Sequence, residues 1–178
     1  SPIVIGYIFA SILTDKGILN SFLSYIYLSD QISWLGNPKY ALISVSIALC
    51  WQLIAFCTVI YIASLKNIPK ELEDASQIDG ANGIQKFRYL DWPLLAPALT
   101  INTVVILIST FKLYDRVLAL TGGGPGRSTE TIAMLIIGTA FNENRVGFAS
   151  SMSLLLLIIS GATTFIALLY LGKREVEN

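Results

Sequence analysis

Three charged side chains fall within five residues at Lys112-Leu113-Tyr114-Asp115-Arg116, where an apolar run ends. That spacing suits local pairing by snorkelling at a membrane surface. It also suits the polar wall of a cavity, with Tyr114 and Asp115 as candidate contacts. Upstream, Gln52 stands near the middle of an uncharged run, where a polar group either bonds a neighbouring helix or meets a transported solute. Asn102, Thr103, Ser109 and Thr110 share one helical stripe, because the pairs 102/109 and 103/110 are seven apart. Such a stripe lines a pathway or joins helices. The segment 121–129, TGGGPGRST, imitates a phosphate-binding loop but breaks its rule. Gly122 is followed five residues later by Arg127, the required lysine is missing, and the apolar flanks offer no strand-then-helix setting. It reads as a flexible loop whose glycines let a partner or ligand approach the backbone. Histidine is absent, which removes the commonest metal ligand and acid–base group. Cys50 and Cys57 lie ~10 Å apart along a helix, too far to bridge. No acid or nucleophile constellation converges, which argues against an intramembrane enzyme, and no metal site or cofactor is expected in this chain.

These groups need membrane helices to carry them. Of the 178 residues, 54% are apolar and 13% charged, against about 25% charged in soluble domains; the mean hydropathy is +0.65. The expected fold class is an all-α polytopic membrane protein. Twelve bases and twelve acids cancel, so nothing points to nucleic acid. Residues 2–14 are apolar but short of the ~20 that cross a bilayer. We read them as the end of a span that begins outside this chain, with no signal peptide. In 15–40, Asp15-Lys16-Gly17 predicts a turn and Asn20 the cap of a short helix through Leu28. Tyr25, Tyr27, Trp34 and Tyr40 resemble an interface belt. Residues 41–65 carry no charge and make ~37 Å of helix, a full span. Further spans are predicted at 94–113 and 148–172. Between them, 131–141 reads as a half-helix or membrane-edge helix. Ser153, Ser160, Gly161 and Thr164 offer a small-residue packing face.

The polar stretch 68–97, IPKELEDASQIDGANGIQKFRYLDWPLLAP, separates two of these spans. Pro69 suits a first helical turn. The helix should end at Asp79-Gly80, and a second should run from about Ala81 to Leu90, stopping before Pro93 and Pro97. Helices this short are marginal alone and need something to dock on.

This stretch resembles the cytoplasmic coupling loop, the "EAA" loop, of ABC-importer permeases of the binding-protein-dependent (MetI-like) family, carbohydrate or glycerol-phosphate type. Ile68-Pro69, Glu71-Leu72, Asp74-Ala75, Ile78 to Ala81, Phe87-Arg88, Pro93 to Leu95 and Pro97 match the longer pattern of carbohydrate permeases. Asp74 stands for its Glu and Ser76 for its second Ala. Thr121-Gly122-Gly123-Gly124-Pro125, then Ser128-Thr129, looks like that family's external T-G-G-G-P-x-x-S-T loop. Trp34-Leu35 with Pro38 and Ala41, and Gly147-Phe148-Ala149-Ser150, look like the approaches to its next and last spans.

The resemblance implies a transmembrane helix bundle with cytoplasmic coupling helices, one permease domain over 1–178, its N-terminal spans missing and its coupling loop at about 66–92. It implies a bacterial or archaeal cytoplasmic membrane and import of a sugar or oligosaccharide delivered by an external solute-binding protein. It also implies a second permease subunit, expected to be a paralogue. ATP and Mg would be bound by a separate ATPase dimer. Asp74, Ala75, Ser76, Asp79, Gly80 and Ala81 would seat in that ATPase. Gln52, Asn102, Thr103, Ser109, Thr110, Tyr114 and Asp115 would line the pathway, and Gly122, Gly123, Gly124 and Pro125 would reach the binding protein. The charge rule decides little: six bases fall on either side of the implied topology. Alternatives are a permease for glycerol phosphate, an amino acid or a peptide, and an ion-coupled transporter with Lys112, Asp115 and Arg116 as its relay.

Overall fold

The computed structural model describes residues 1–26 and 32–176, with the side chains of 174–176 excepted. All regular structure among the described residues is helical. In chain order the helices are α1 (Pro2–Leu13), α2 (Ile18–Tyr25), α3 (Pro38–Lys66), α4 (Lys70–Ile78), α5 (Gly83–Lys86), α6 (Trp92–Leu94), α7 (Ala96–Phe111), α8 (Asp115–Thr121), α9 (Ile132–Ile137) and α10 (Val146–Val176). Single π-helical segments at Phe87–Asp91 and Gly138–Asn142 follow α5 and α9.

Among the described residues, three stretches are long and apolar enough to cross a membrane: Pro2–Tyr25, counted across the break between α1 and α2, Pro38–Lys66 and Val146–Lys173. A fourth results if Gly83–Leu94 and Ala96–Phe111, bent by 60°, form one span. The apolar helix Ile132–Asn142 is shorter, in keeping with the half-helix expected there. Few side chains in the long helices are buried within the chain, and α10 leaves Leu154, Leu155, Leu157 and Ile158 at least 60% exposed. A helix that is apolar all round and uncovered by its own chain belongs against lipid or a partner subunit.

Two compact units are present. The first comprises Ser1–Gln52 and Thr110–Leu157. Its core is Val45 and Ala48 of α3 with Leu113, Val117 and Leu120 around α8, flanked by Phe9, Ala10, Leu49 and Met134. Helices α1 and α8 pack closely because Gly6 has no side chain. A Cβ there would lie 2.6 Å from the Ala119 Cβ and 3.2 Å from the Arg116 carbonyl oxygen. Neither atom is the end of a flexible side chain. Gly6→Val is therefore expected to cost about 1–3 kcal/mol, read as a lower melting temperature of the detergent-solubilised protein. An unchanged melting curve would mean α1 does not depend on this contact.

Asn20 is not the cap expected of it. Gly17 occupies the N-cap of α2, and Asn20 is buried inside the helix. Its carboxamide donates to the carbonyls of Asp15 (3.1 Å) and Ile32 (2.8 Å) and accepts from Trp34 Nε1 (3.0 Å). Asn20 thus ties the turn before α2 to the chain before α3, and Trp34 serves that tie as well as any interface belt. Tyr27 and Leu28 lie outside the described residues.

The second unit comprises Leu53–Ser109 and Ile158–Asn178. Here the prolines act differently from expectation. The second loop helix does not stop before Pro93 but runs on to Leu94. The π-helical segment makes this possible: Trp92 N–H bonds the Phe87 carbonyl, five residues back. Pro93 and Pro97 cannot donate, so the ladder fails on either side of Leu95, and the axis turns there by 60°. The span predicted at 94–113 is accordingly α7 alone, 16 residues.

Candidate functional site

The loop between α3 and α6 is built as two short helices locked at a glycine. Helix α4 ends in a Schellman motif: Ala81 N–H bonds the Ser76 carbonyl and Gly80 N–H bonds the Gln77 carbonyl, each at 3.0 Å. That closure needs a left-handed residue, and Gly80 supplies it with φ +73°. Asp79 is the C-cap, and its N–H bonds the Ala75 carbonyl at 3.0 Å. Ser76 Oγ turns back to the Glu73 carbonyl, 2.7 Å. Asp74 and Ala75 are exposed on the helix surface. All six residues expected to couple to a partner therefore lie on one helix end and its turn.

Two features of this loop were not anticipated from the sequence. Asn82 and Gln85 form a reciprocal capping box at the start of α5, both bonds at 2.9 Å. The N-x-x-Q spacing could have revealed it. Lys86 Nζ reaches Glu73 Oε1 at 2.8 Å and straps α5 to α4. The two residues are 13 apart, beyond any helical spacing, so only the fold brings them together. The pair is partly exposed, and such pairs add little to global stability. Lys86→Gln is expected to leave the melting temperature within error and to speed amide exchange across Asn82–Lys86. Unchanged exchange would show that the glycine turn alone holds the helices.

The strapped loop leaves large apolar side chains in solvent: Ile78 is 86% exposed, Ile84 81%, Tyr89 74% and Phe87 51%. Exposed apolar groups of this size in one loop are available to a protein partner or a membrane surface.

The residues expected along a pathway fall into both units. In the first, Gln52 accepts a hydrogen bond from Arg116 Nε at 2.6 Å, across 64 positions of sequence. The bond joins α3 to α8, as one of the two readings of Gln52 expects. Arg116 binds α3, and among the described residues Lys112, Asp115 and Arg116 form no ion pair with one another. Asp115 is exposed and Tyr114, the N-cap of α8, is half-buried. Thr110 is exposed. In the second unit, Thr103 Oγ1 bonds its own helix at the Leu99 carbonyl, 2.8 Å. Ser109 is half-buried. Asn102 stands apart: it is 2% exposed, and neither polar atom of its carboxamide has a hydrogen-bond partner.

The glycine loop after α8 is more ordered than its composition suggests. Gly122, at φ +60°, ends α8, and Gly123 has φ +88°. A relay of hydrogen bonds closes the loop. Gly123 N–H donates to Thr121 Oγ1 (3.3 Å), the Thr121 and Thr129 hydroxyls lie 2.7 Å apart, and Thr129 Oγ1 donates to the Gly124 carbonyl (2.8 Å). Thr121 Oγ1 also lies 3.2 Å from the Val117 carbonyl, so either hydroxyl can donate in the Thr121–Thr129 bond. Gly123 is buried, Gly124 and Pro125 are half-buried, and Gly122 is exposed. Thr129→Val removes the relay and is expected to make segment 122–128 severalfold more sensitive to limited proteolysis. Unchanged cleavage would assign the order to the turn backbone alone.

In the small-residue face of α10, Gly161 is open, with nothing within 4 Å of a Cβ built on it, while Thr164 Oγ1 is buried without a partner. No cluster of metal-ligating side chains occurs among the described residues.

Long apolar helices largely unburied within the chain, a bent proline-flanked span and an exposed loop define a polytopic helical membrane protein. The chain belongs to the family of binding-protein-dependent transport system inner membrane components, whose model matches residues 2–175. It is 33% identical over 175 residues to the "Probable starch degradation products transport system permease protein AmyD" of Thermoanaerobacterium thermosulfurigenes, covering 98% of this chain and 59% of that protein. It is likewise 33% identical over 152 residues to the "Trehalose/maltose transport system permease protein MalF" of Thermococcus litoralis, covering 85% of this chain and 51% of the relative. This chain therefore spans between half and three fifths of these relatives. In fold it is similar to a chain of a bacterial ABC transporter involved in the import of the acidic polysaccharide alginate. The TM-score is 0.86 at 19% identity, over 97% of this chain and 61% of the other.

Proposed function

We propose that this chain forms part of the membrane-spanning permease subunit of an ATP-driven importer, and that its cargo is a sugar or oligosaccharide handed over by an external binding protein. The observation that carries the reading is the loop at 68–92: two helices set by a left-handed glycine, strapped by Glu73–Lys86, with Ile78 and Ile84 more than four-fifths exposed. In this reading Asp74, Ala75, Ser76, Asp79, Gly80 and Ala81 seat in a cytoplasmic ATPase dimer that binds ATP and Mg. Nucleotide-driven closure of the dimer moves the spans between inward-open and outward-open states. The sugar assignment draws on the relatives' names and on the T-G-G-G-P loop. The alginate transporter was also solved in complex with an alginate pentasaccharide-bound periplasmic protein, which supports a binding-protein partner here. Gly122, Gly124 and Pro125 are the accessible or half-accessible parts of the loop that would meet it, and Gly123 shapes the loop from inside. Along the pathway the strongest candidate is Asn102, a buried carboxamide without a partner. A second, paralogous permease subunit would complete the channel in a bacterial or archaeal cytoplasmic membrane.

The charge cluster lends the ion-coupled alternative no support: Arg116 bonds Gln52, and among the described residues no ion pair links Lys112, Asp115 and Arg116. The test is site-specific cross-linking from position 76 of the full-length permease in native membranes. The expected product is an ATPase subunit, captured in a nucleotide-dependent way. Efficient incorporation with no ATPase in either nucleotide state would overturn the reading.

A further inference from the structure

A cleft of about 310 Å³ opens where α3 passes into α4. Its lining is Ile62, Leu65 and Lys66 from the last two turns of α3, Ile68 from the link, and Lys70 and Glu73 from α4. The link is tight: Asn67 N–H bonds the Ser64 carbonyl at 3.1 Å and Ile68 N–H bonds the Leu65 carbonyl at 3.2 Å. This folds Lys70 back to share the cleft with Lys66, the last residue of the span. Three charged groups thus meet there, but they are not equivalent. Glu73 is taken by Lys86 at 2.8 Å, and among the described residues Lys66 and Lys70 enter no ion pair. The cleft therefore carries two uncompensated cations above an apolar wall, at the end of a helix long enough to span a bilayer.

The geometry points to a binding site for an anionic phospholipid, with the headgroup phosphate between Lys66 and Lys70 and the upper acyl chain along Ile62, Leu65 and Ile68. Charge complementarity selects the anion, and the apolar wall at a membrane boundary selects a lipid over a soluble phosphate. Glu73 is the control element. While Lys86 holds it, the site is doubly positive. Once released, its carboxylate faces the same two lysines and competes with the phosphate. The strap between α4 and α5 then has a second consequence: it keeps the cleft fit for an anionic headgroup.

The experiment uses the full-length permease in its assembled importer, in nanodiscs of phosphatidylcholine or of an equimolar mixture with phosphatidylglycerol. Lipids retained after delipidation are read by native mass spectrometry, independently of transport. Wild type is expected to retain phosphatidylglycerol over phosphatidylcholine. Neutralising the exposed lysines as Lys66→Gln and Lys70→Gln should lower that preference about fivefold for each lysine. The Lys66→Arg, Lys70→Arg protein should keep the preference, and Lys86→Gln should weaken it with both lysines present. Equal retention of the two lipids by wild type would overturn the proposal, as would an unchanged preference in the double glutamine variant. Displacement of phosphatidylglycerol by millimolar inorganic phosphate would reassign the cleft to a free anion. Loss of the ATPase from the double glutamine variant with its lipid preference intact would reassign the lysines to that protein contact. Failure of the coupling reading would leave these outcomes unchanged, since the readout is retained lipid.

Discussion

Replacing Gly80 by leucine is expected to abolish uptake while the permease still inserts into the membrane at the wild-type level. The reasoning starts at the backbone. Gly80 sits at φ +73° and closes the Schellman turn that ends α4. An L-residue held in the left-handed region costs about 1–2 kcal/mol, comparable to what such short helices can gain on their own. A Cβ at this position meets nothing within 4 Å in the chain itself. The substitution therefore does not overpack the subunit, and insertion and global folding should survive. What changes is the angle between α4 and α5 and the surface offered to a partner. Two companions separate those causes. Asparagine tolerates the left-handed region, so Gly80→Asn should recover most of the transport if conformation alone matters. If asparagine fails as fully as leucine, the glycine is needed because a partner comes close. Normal uptake by the leucine variant would remove the loop from the coupling mechanism altogether.

The second large effect is expected at Asn102, with opposite signs in two assays. The carboxamide is 2% exposed and wholly unpaired. A buried polar group left unsatisfied costs about 1–3 kcal/mol, so Asn102→Leu should raise the melting temperature of the detergent-solubilised protein. The same change should lower transport at least tenfold, the size of losing about one good hydrogen bond of 1.4 kcal/mol to a moving solute. A residue kept only for helix packing would not show this split, because its replacement would move both readouts the same way. Higher stability with undiminished transport would assign Asn102 to a structural role filled by groups outside this chain. Asn102→Asp, which keeps the shape and adds charge, should lose both stability and transport.

The sequence by itself determined the membrane class, the approximate position of the two long spans at α3 and α10 and the turn at Gly80. The reason is physical. Runs of about 20 uncharged residues have few alternatives to a membrane helix, and a helix that must close on a left-handed residue selects glycine. Where local rules compete, the sequence was less decisive. Asn20 has the right chemistry for a cap, yet Gly17 starts the helix, and the Asn20 carboxamide instead holds two carbonyls and the indole of Trp34. Pro93 and Pro97 predict a stop. The π-helical segment before them shifts the hydrogen-bond register, so the stop becomes a 60° bend. The T-G-G-G-P loop looks flexible by composition, but the Thr121–Thr129 hydroxyl pair closes it. Only the tertiary structure decided which distant polar groups meet: Arg116 on Gln52, Lys86 on Glu73, and Asn102 on nothing. These outcomes depend on the relative rotation and depth of helices separated by tens of residues. Helical periodicity sets which side chains share a face, whereas packing between helices sets what that face touches.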